Sequence, residues 1–151
     1  MSYAAHTNVS IERTRAEIEA LLRQAGATGI YGGWDDKAGQ GQVLCRLQER
    51  MIRFKVALPS LEEFKKTPGG RSRNAEHAQQ ARAQEERRKW RALLLIIKAK
   101  LEMIAGGDSS IEREFLSDLV LPDGSTVYET THAAIAESYK TGAMPRLLGA
   151  G

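Results

Sequence analysis

The chain has 151 residues, of which 42% are apolar, 27% charged and 6% aromatic, so a single domain over residues 1–151 with one compact core is expected. No apolar run approaches the roughly 18 residues of a spanning helix, and the first residues lack the basic-then-apolar pattern of a signal peptide. Cys45 is the only cysteine, which excludes an internal disulfide framework and a cysteine-rich zinc site; a soluble, cytoplasmic protein is expected.

Charge is uneven along the chain. Residues 1–64 are neutral overall, residues 65–100 carry +8 and residues 101–151 carry −5, within a total of +3. A concentrated positive field favours a polyanionic partner unless the acidic third folds back over it.

Residues 1–8 show no period and are expected to fray. Val9 and Ile11 alternate with polar neighbours, as in a stub of strand. Thr14 to Glu17 has the form of a capping box, and Ile18, Leu21, Leu22 and Ala25 fall on one face of a helix over residues 15–25 that Gly26 ends. From Gly29 the period becomes two. Strands are predicted over residues 30–34, 43–47 and 52–58, with polar turns at residues 35–41 and 49–50. They form a three-stranded antiparallel meander with Arg46, Arg53 and Lys55 on its polar face. Ser60 to Glu63 forms a second capping box, opening a helical turn over residues 61–66.

Residues 67–74 are basic, turn-forming and without large apolar groups, which predicts a mobile basic loop. Asn74 then caps a helix from Ala75 to Ala105, ended by Gly106 and Gly107. Its first half, residues 75–89, has only alanine as apolar content and is expected to be solvated or to lie against a partner. The second half is apolar around most of its circumference, which implies burial on several sides. A short helix capped by Ser109 follows, then a Pro122 to Ser125 turn, a returning strand at residues 126–128 and a last helix capped by Thr131. The apolar tail, residues 144–148, is expected to pack as a strap on the core. The fold class is therefore α+β: a meander on one long helix with short flanking helices.

No phosphate-binding glycine loop, nucleophile elbow or zinc-protease motif occurs, and His6, His77 and His132 lack ligand spacing. No metal site or cofactor is predicted, and a non-catalytic protein is favoured over an enzyme. Asp35, Asp36 and Asp123 sit in turns, where aspartate bonds its own backbone. Cys45 lies on an apolar strand face and reads as a small hydrophobe.

The positive signal is the run Arg87-Arg88-Lys89-Trp90-Arg91. Arg87, Arg91 and Lys98 share a helical stripe, arginine grips phosphate bidentately, and an exposed Trp90 would stack a base. With Arg71 and Arg73 in the loop and the basic sheet face, these residues make a track for DNA or RNA. The competing expectation is that Trp90 packs inside while the arginines pair with Glu85, Glu86 and the acidic third.

The run from Trp90 to Glu102 (Trp-Arg-Ala-Leu-Leu-Leu-Ile-Ile-Lys-Ala-Lys-Leu-Glu), with Glu114-Phe115-Leu116, Leu121-Pro122-Asp123-Gly124 and Gly142-Ala-Met-Pro145, resembles a set of short proteins from phages and prophages. The resemblance covers residues 87–148 well and the meander loosely. It implies a phage or prophage origin and work in the host cell, and it transfers no activity and no site residues. The leading expectation is a phage accessory protein that binds nucleic acid through Arg71, Arg73, Arg87, Arg88, Trp90, Arg91 and Lys98. A protein-binding inhibitor or adaptor of anti-defence type, docking on an acidic host protein, is the alternative. A homodimer paired through the solvated half of the long helix is the third reading.

Overall fold

The computed structural model describes residues 4–35 and 39–149. Met1 to Tyr3 of the segment expected to fray, and Asp36 and Lys37 of the first polar turn, lie outside the described residues. The first helix, Ile11–Gln24 (α1), begins earlier than expected, because Ser10 accepts from Arg13 N at 3.2 Å and takes the cap position. Ile11 is thus helical rather than part of a strand stub. Thr14, expected as the cap, is a buried residue of the second turn.

Three strands follow, Thr28–Asp35 (β1), Gln40–Leu47 (β2) and Arg50–Ala57 (β3), in the order β1-β2-β3 and antiparallel throughout. Val43, Cys45 and Leu47 of β2 and Ile52, Phe54 and Val56 of β3 are all buried. The alternation puts Arg46, Arg53 and Lys55 on the opposite face, as expected. Between β2 and β3, Gln48 and Glu49 both take left-handed backbone, with φ of 49° and 65°, which two-residue hairpins require and side-chain-bearing residues resist.

Ser60 N donates to Glu63 Oε2 at 2.7 Å, opening a 3-10 turn at Leu61–Phe64. Residues 67–74, expected to be a mobile loop, form a hydrogen-bonded turn. Thr67 N donates to Arg71 O and Arg73 N to Lys65 O, each at 2.7 Å. Sequence composition could not show this, because the ordering groups are backbone atoms.

The long helix Ala75–Ala105 (α2) has the predicted bounds, with Asn74 accepting from His77 N at 2.8 Å. Its burial departs from expectation in both halves. In the first, residues 81–89 are all part-buried, since the N-terminal segment and the chain after β3 lie against them. Gln84 Nε2 donates to Ala5 O and Thr7 O, Arg82 Nε donates to Pro59 O, and Ala4 is buried. In the second half, Trp90, Leu94 and Ile97 enter the core while Ile96 and Met103 are about half exposed. Burial is on one side, against the sheet and α1, and not all round.

Residues Ile111–Glu114 (α3) are capped by Ser110, which accepts from Arg113 N; Ser109, the expected cap, bonds Glu114 instead. A 3-10 turn at Leu116–Asp118 leads to single bridges, Ile52 to Leu119 and Val120 to Thr126. The expected returning strand amounts to that last bridge. Thr126 and Glu129 form a capping box, so the last helix is Val127–Thr141 (α4), starting four residues before the expected cap Thr131 would allow. Thr131 lies within it, its Oγ1 donating to Val127 O at 2.7 Å. Gly142, at φ 74°, ends it in the left-handed conformation. The tail does not strap the core: Met144 is 92% exposed and Leu148 more than half exposed.

Candidate functional site

Helical spacing brings the predicted track to α2, but its parts are engaged elsewhere. Trp90 is 1% exposed and belongs to the core, so it cannot stack a base. The Arg15 guanidinium lies 4.4 Å above its ring centroid, and its Nε1 has no acceptor among the described residues. Arg88 grips the Glu85 carboxylate through Nε and Nη2 at 2.6–3.0 Å. That bond holds the Glu85 carboxyl below its ordinary range. Arg91 Nη1 donates to Glu17 Oε2 on α1 at 3.0 Å, and Arg87 Nη2 donates to Gln84 Oε1 at 2.6 Å. Arg73 donates to Phe64 O and Lys66 O, which ties down the turn. Only Arg71 and Lys98 of the predicted set are exposed with no printed pair to a carboxylate.

The acidic third does not cover this helix. Its ion pairs run to the sheet, Lys55 to Glu129 at 3.2 Å and Arg50 to Glu112. Lys100 instead donates to the carbonyl of Glu114 at 2.6 Å. Arginines of α2 are matched locally, Arg82 by Glu86 and Arg88 by Glu85, as the competing expectation held for those two acids.

The acidic turns carry structure. Asp123 Oδ1 accepts from Ser125 N at 2.9 Å and Ser125 Oγ at 2.6 Å, which lowers its pKa. Cys45 is buried in the core, and burial pushes its thiol up to about 11. Among the described residues no group of three or more histidine, cysteine, aspartate or glutamate side chains could hold a metal ion. No helix among them is long and apolar enough to cross a membrane.

Sequence reasoning passed over a different surface. Ten large apolar or aromatic side chains are exposed among the described residues, and all but Tyr31 fall between Ile96 and Leu148. They centre on a groove of about 560 Å³ between α4 and the turn around Leu116, lined by Lys100, Leu116, Tyr128, His132 and Ile135. Ile96, Lys100 and Met103 stand at i, i+4 and i+7, so the exposed apolar groups of α2 border the groove.

On α4, two stripes run side by side. Val127, Thr131, Ala134 and Ser138 face the fold and are buried or part-buried, while Tyr128, His132, Ile135 and Tyr139 are exposed. The Tyr128 and His132 rings stack with centroids 4.8 Å apart. The outer stripe was legible as the spacing 4-3-4, had residues 126–128 not been read as strand.

No protein-family model, curated protein or solved structure matches the chain.

Proposed function

We propose that this protein is a non-catalytic interaction module that docks on a protein surface through the apolar face of α4 and its groove. The observation that carries the reading is the clustering of exposed large apolar groups on one stretch of chain, crowned by Tyr139 at 88% exposure. Contiguous apolar surface of this kind marks protein contacts, and tyrosine supplies contact area at low entropic cost. The resemblance to phage proteins fits an adaptor or inhibitor acting in the host cell. Docking through the basic helix on an acidic partner is the weaker form of that reading, because Arg88 and Arg91 already have carboxylates.

Replacing Ile135 by a photo-crosslinking residue tests the proposal. Illumination in expressing cells should yield a covalent protein adduct, and the same probe at Glu137, on the far side of α4, should not. Equal yields at the two positions, or none at either, would sink it.

A second reading, nucleic acid on the outer sheet face, is favoured by one observation. Tyr31 is exposed beside a face that carries Arg46 and Arg53, the pairing of base-stacking ring and phosphate-binding cation that single strands use. Fluorescence anisotropy with single-stranded DNA and RNA should then show salt-sensitive affinity lost on Tyr31→Ala with Arg46→Glu. Binding unchanged by those substitutions removes this reading.

A further inference from the structure

We infer that the occupant of the α4 face is a second copy of this chain, paired antiparallel about a two-fold axis. The inference rests on reading that face as a docking surface. Tyr128, His132, Ile135 and Tyr139 repeat at intervals of four, three and four, the seam spacing by which one helix packs along another. Helical spacing keeps Glu129, Glu137 and Lys140 off this seam.

An antiparallel pair centred between His132 and Ile135 sets Tyr128 against Tyr139 of the second copy, and the opposed helix dipoles attract. This orientation also gives the tail a place. The groove lies along the N-terminal half of α4, while Met144 and Leu147 leave from its C-terminal end. In an antiparallel pair, the end of one α4 meets the start of the other. Each tail is thereby delivered to the groove of the other copy, which its own helix end faces away from.

Area agrees. The two tyrosines offer about 150–250 Å² each, and with Leu116, Ile135 and the tail the face approaches the roughly 800 Å² that a stable interface takes from each partner. The first half of α2, the sequence-based choice for a dimer seam, is already covered by its own chain.

Sedimentation equilibrium over nanomolar to high micromolar concentration tests this. The wild-type chain should approach twice 16.7 kDa, and Tyr139→Glu should weaken association by about tenfold or more, the effect of losing roughly 1.4 kcal/mol. Tyr139 is exposed, so an unchanged circular dichroism spectrum is expected for that variant. Orientation is read from a Tyr128→Cys, Tyr139→Cys double variant, which should form disulfide-linked dimers at least about tenfold faster than Glu137→Cys. A dimer indifferent to Tyr139→Glu, or one that cross-links no faster than the control, overturns the inference. A monomer at every concentration also overturns it; if the Ile135 probe then captures another protein, the docking reading stands, and if it captures none, both fall.

Discussion

Gly41 lies against the ring of Trp90 so closely that a Cβ at that position would stand 2.6 Å from Cζ2 and 3.2 Å from Cη2. The strand and the helix meet there with no room for a methyl group, and the ring fills what a larger strand residue would otherwise occupy. Trp90 thus joins α2 to β2 and is withheld from any ligand. Gly41→Ala is expected to cost about 1–3 kcal/mol, as overpacking of a core does. Urea denaturation checks this; an unchanged midpoint would mean the ring has room to move.

The arginines beside Trp90 are expected to affect the fold more than any polyanion. Arg91→Ala should lower stability by no more than about 1 kcal/mol, since the Arg91 to Glu17 pair is partly solvent-screened. Glu17→Ala should cost a similar amount, and the double variant less than the sum. Chemical denaturation of the three variants measures the coupling. A coupling near zero would show that the pair contributes nothing between α1 and α2.

Much of this was legible in the sequence. Trp90, Leu94, Ile97 and Leu101 share one helical face, and that spacing alone points Trp90 into the core; the surrounding arginines drew attention the other way. Asn74 and Gly106 gave both ends of α2 because each is a local backbone signal. Overlapping caps were harder: Ser10 and Thr14 both precede helix-forming residues, and only burial of Thr14 decides between them. Composition also hid which side of residues 90–104 would stay bare, since a helix apolar all round says nothing about how many neighbours it has.

The β2 to β3 hairpin holds a local reserve of stability. Gln48 and Glu49 both sit at positive φ, where asparagine and glycine are far better suited. Replacing the pair by Asn-Gly should raise stability by about 1–2 kcal/mol. A thermal melt that moves down would show that their side chains contribute more than their backbone strain costs.

Two carboxyls give opposite pH dependences. Glu129 accepts from Thr126 N and then from Lys55, so its folded pKa is lowered. Its stabilisation is present above the ordinary glutamate value of about 4.3 and is lost as pH falls through the lowered folded value. Asp118 is raised by burial, against a smaller opposing pull from Lys100. Its charge therefore costs stability at neutral pH, a cost relieved as pH falls through the raised folded value. Urea midpoints at pH 7 and pH 3 should show Asp118→Asn stabilising only at pH 7, and Glu129→Gln destabilising more at pH 7 than at pH 3. Equal shifts at both pH values would contradict these assignments.

Cys45 should resist thiol reagents in the folded protein, because its burial both blocks access and holds the proton on to about pH 11. Labelling at pH 8 should proceed only after denaturant is added. Rapid labelling of the native chain would place Cys45 outside the core.

Hydrogen exchange of residues 127–141 at low and high protein concentration tests most directly whether a second copy covers α4. That helix packs chiefly on the turn at Leu116–Asp118, so its amides should exchange quickly in dilute protein and markedly more slowly in concentrated protein, with Tyr139→Glu abolishing the difference. Exchange in α4 that is independent of concentration would contradict the proposed self-pairing.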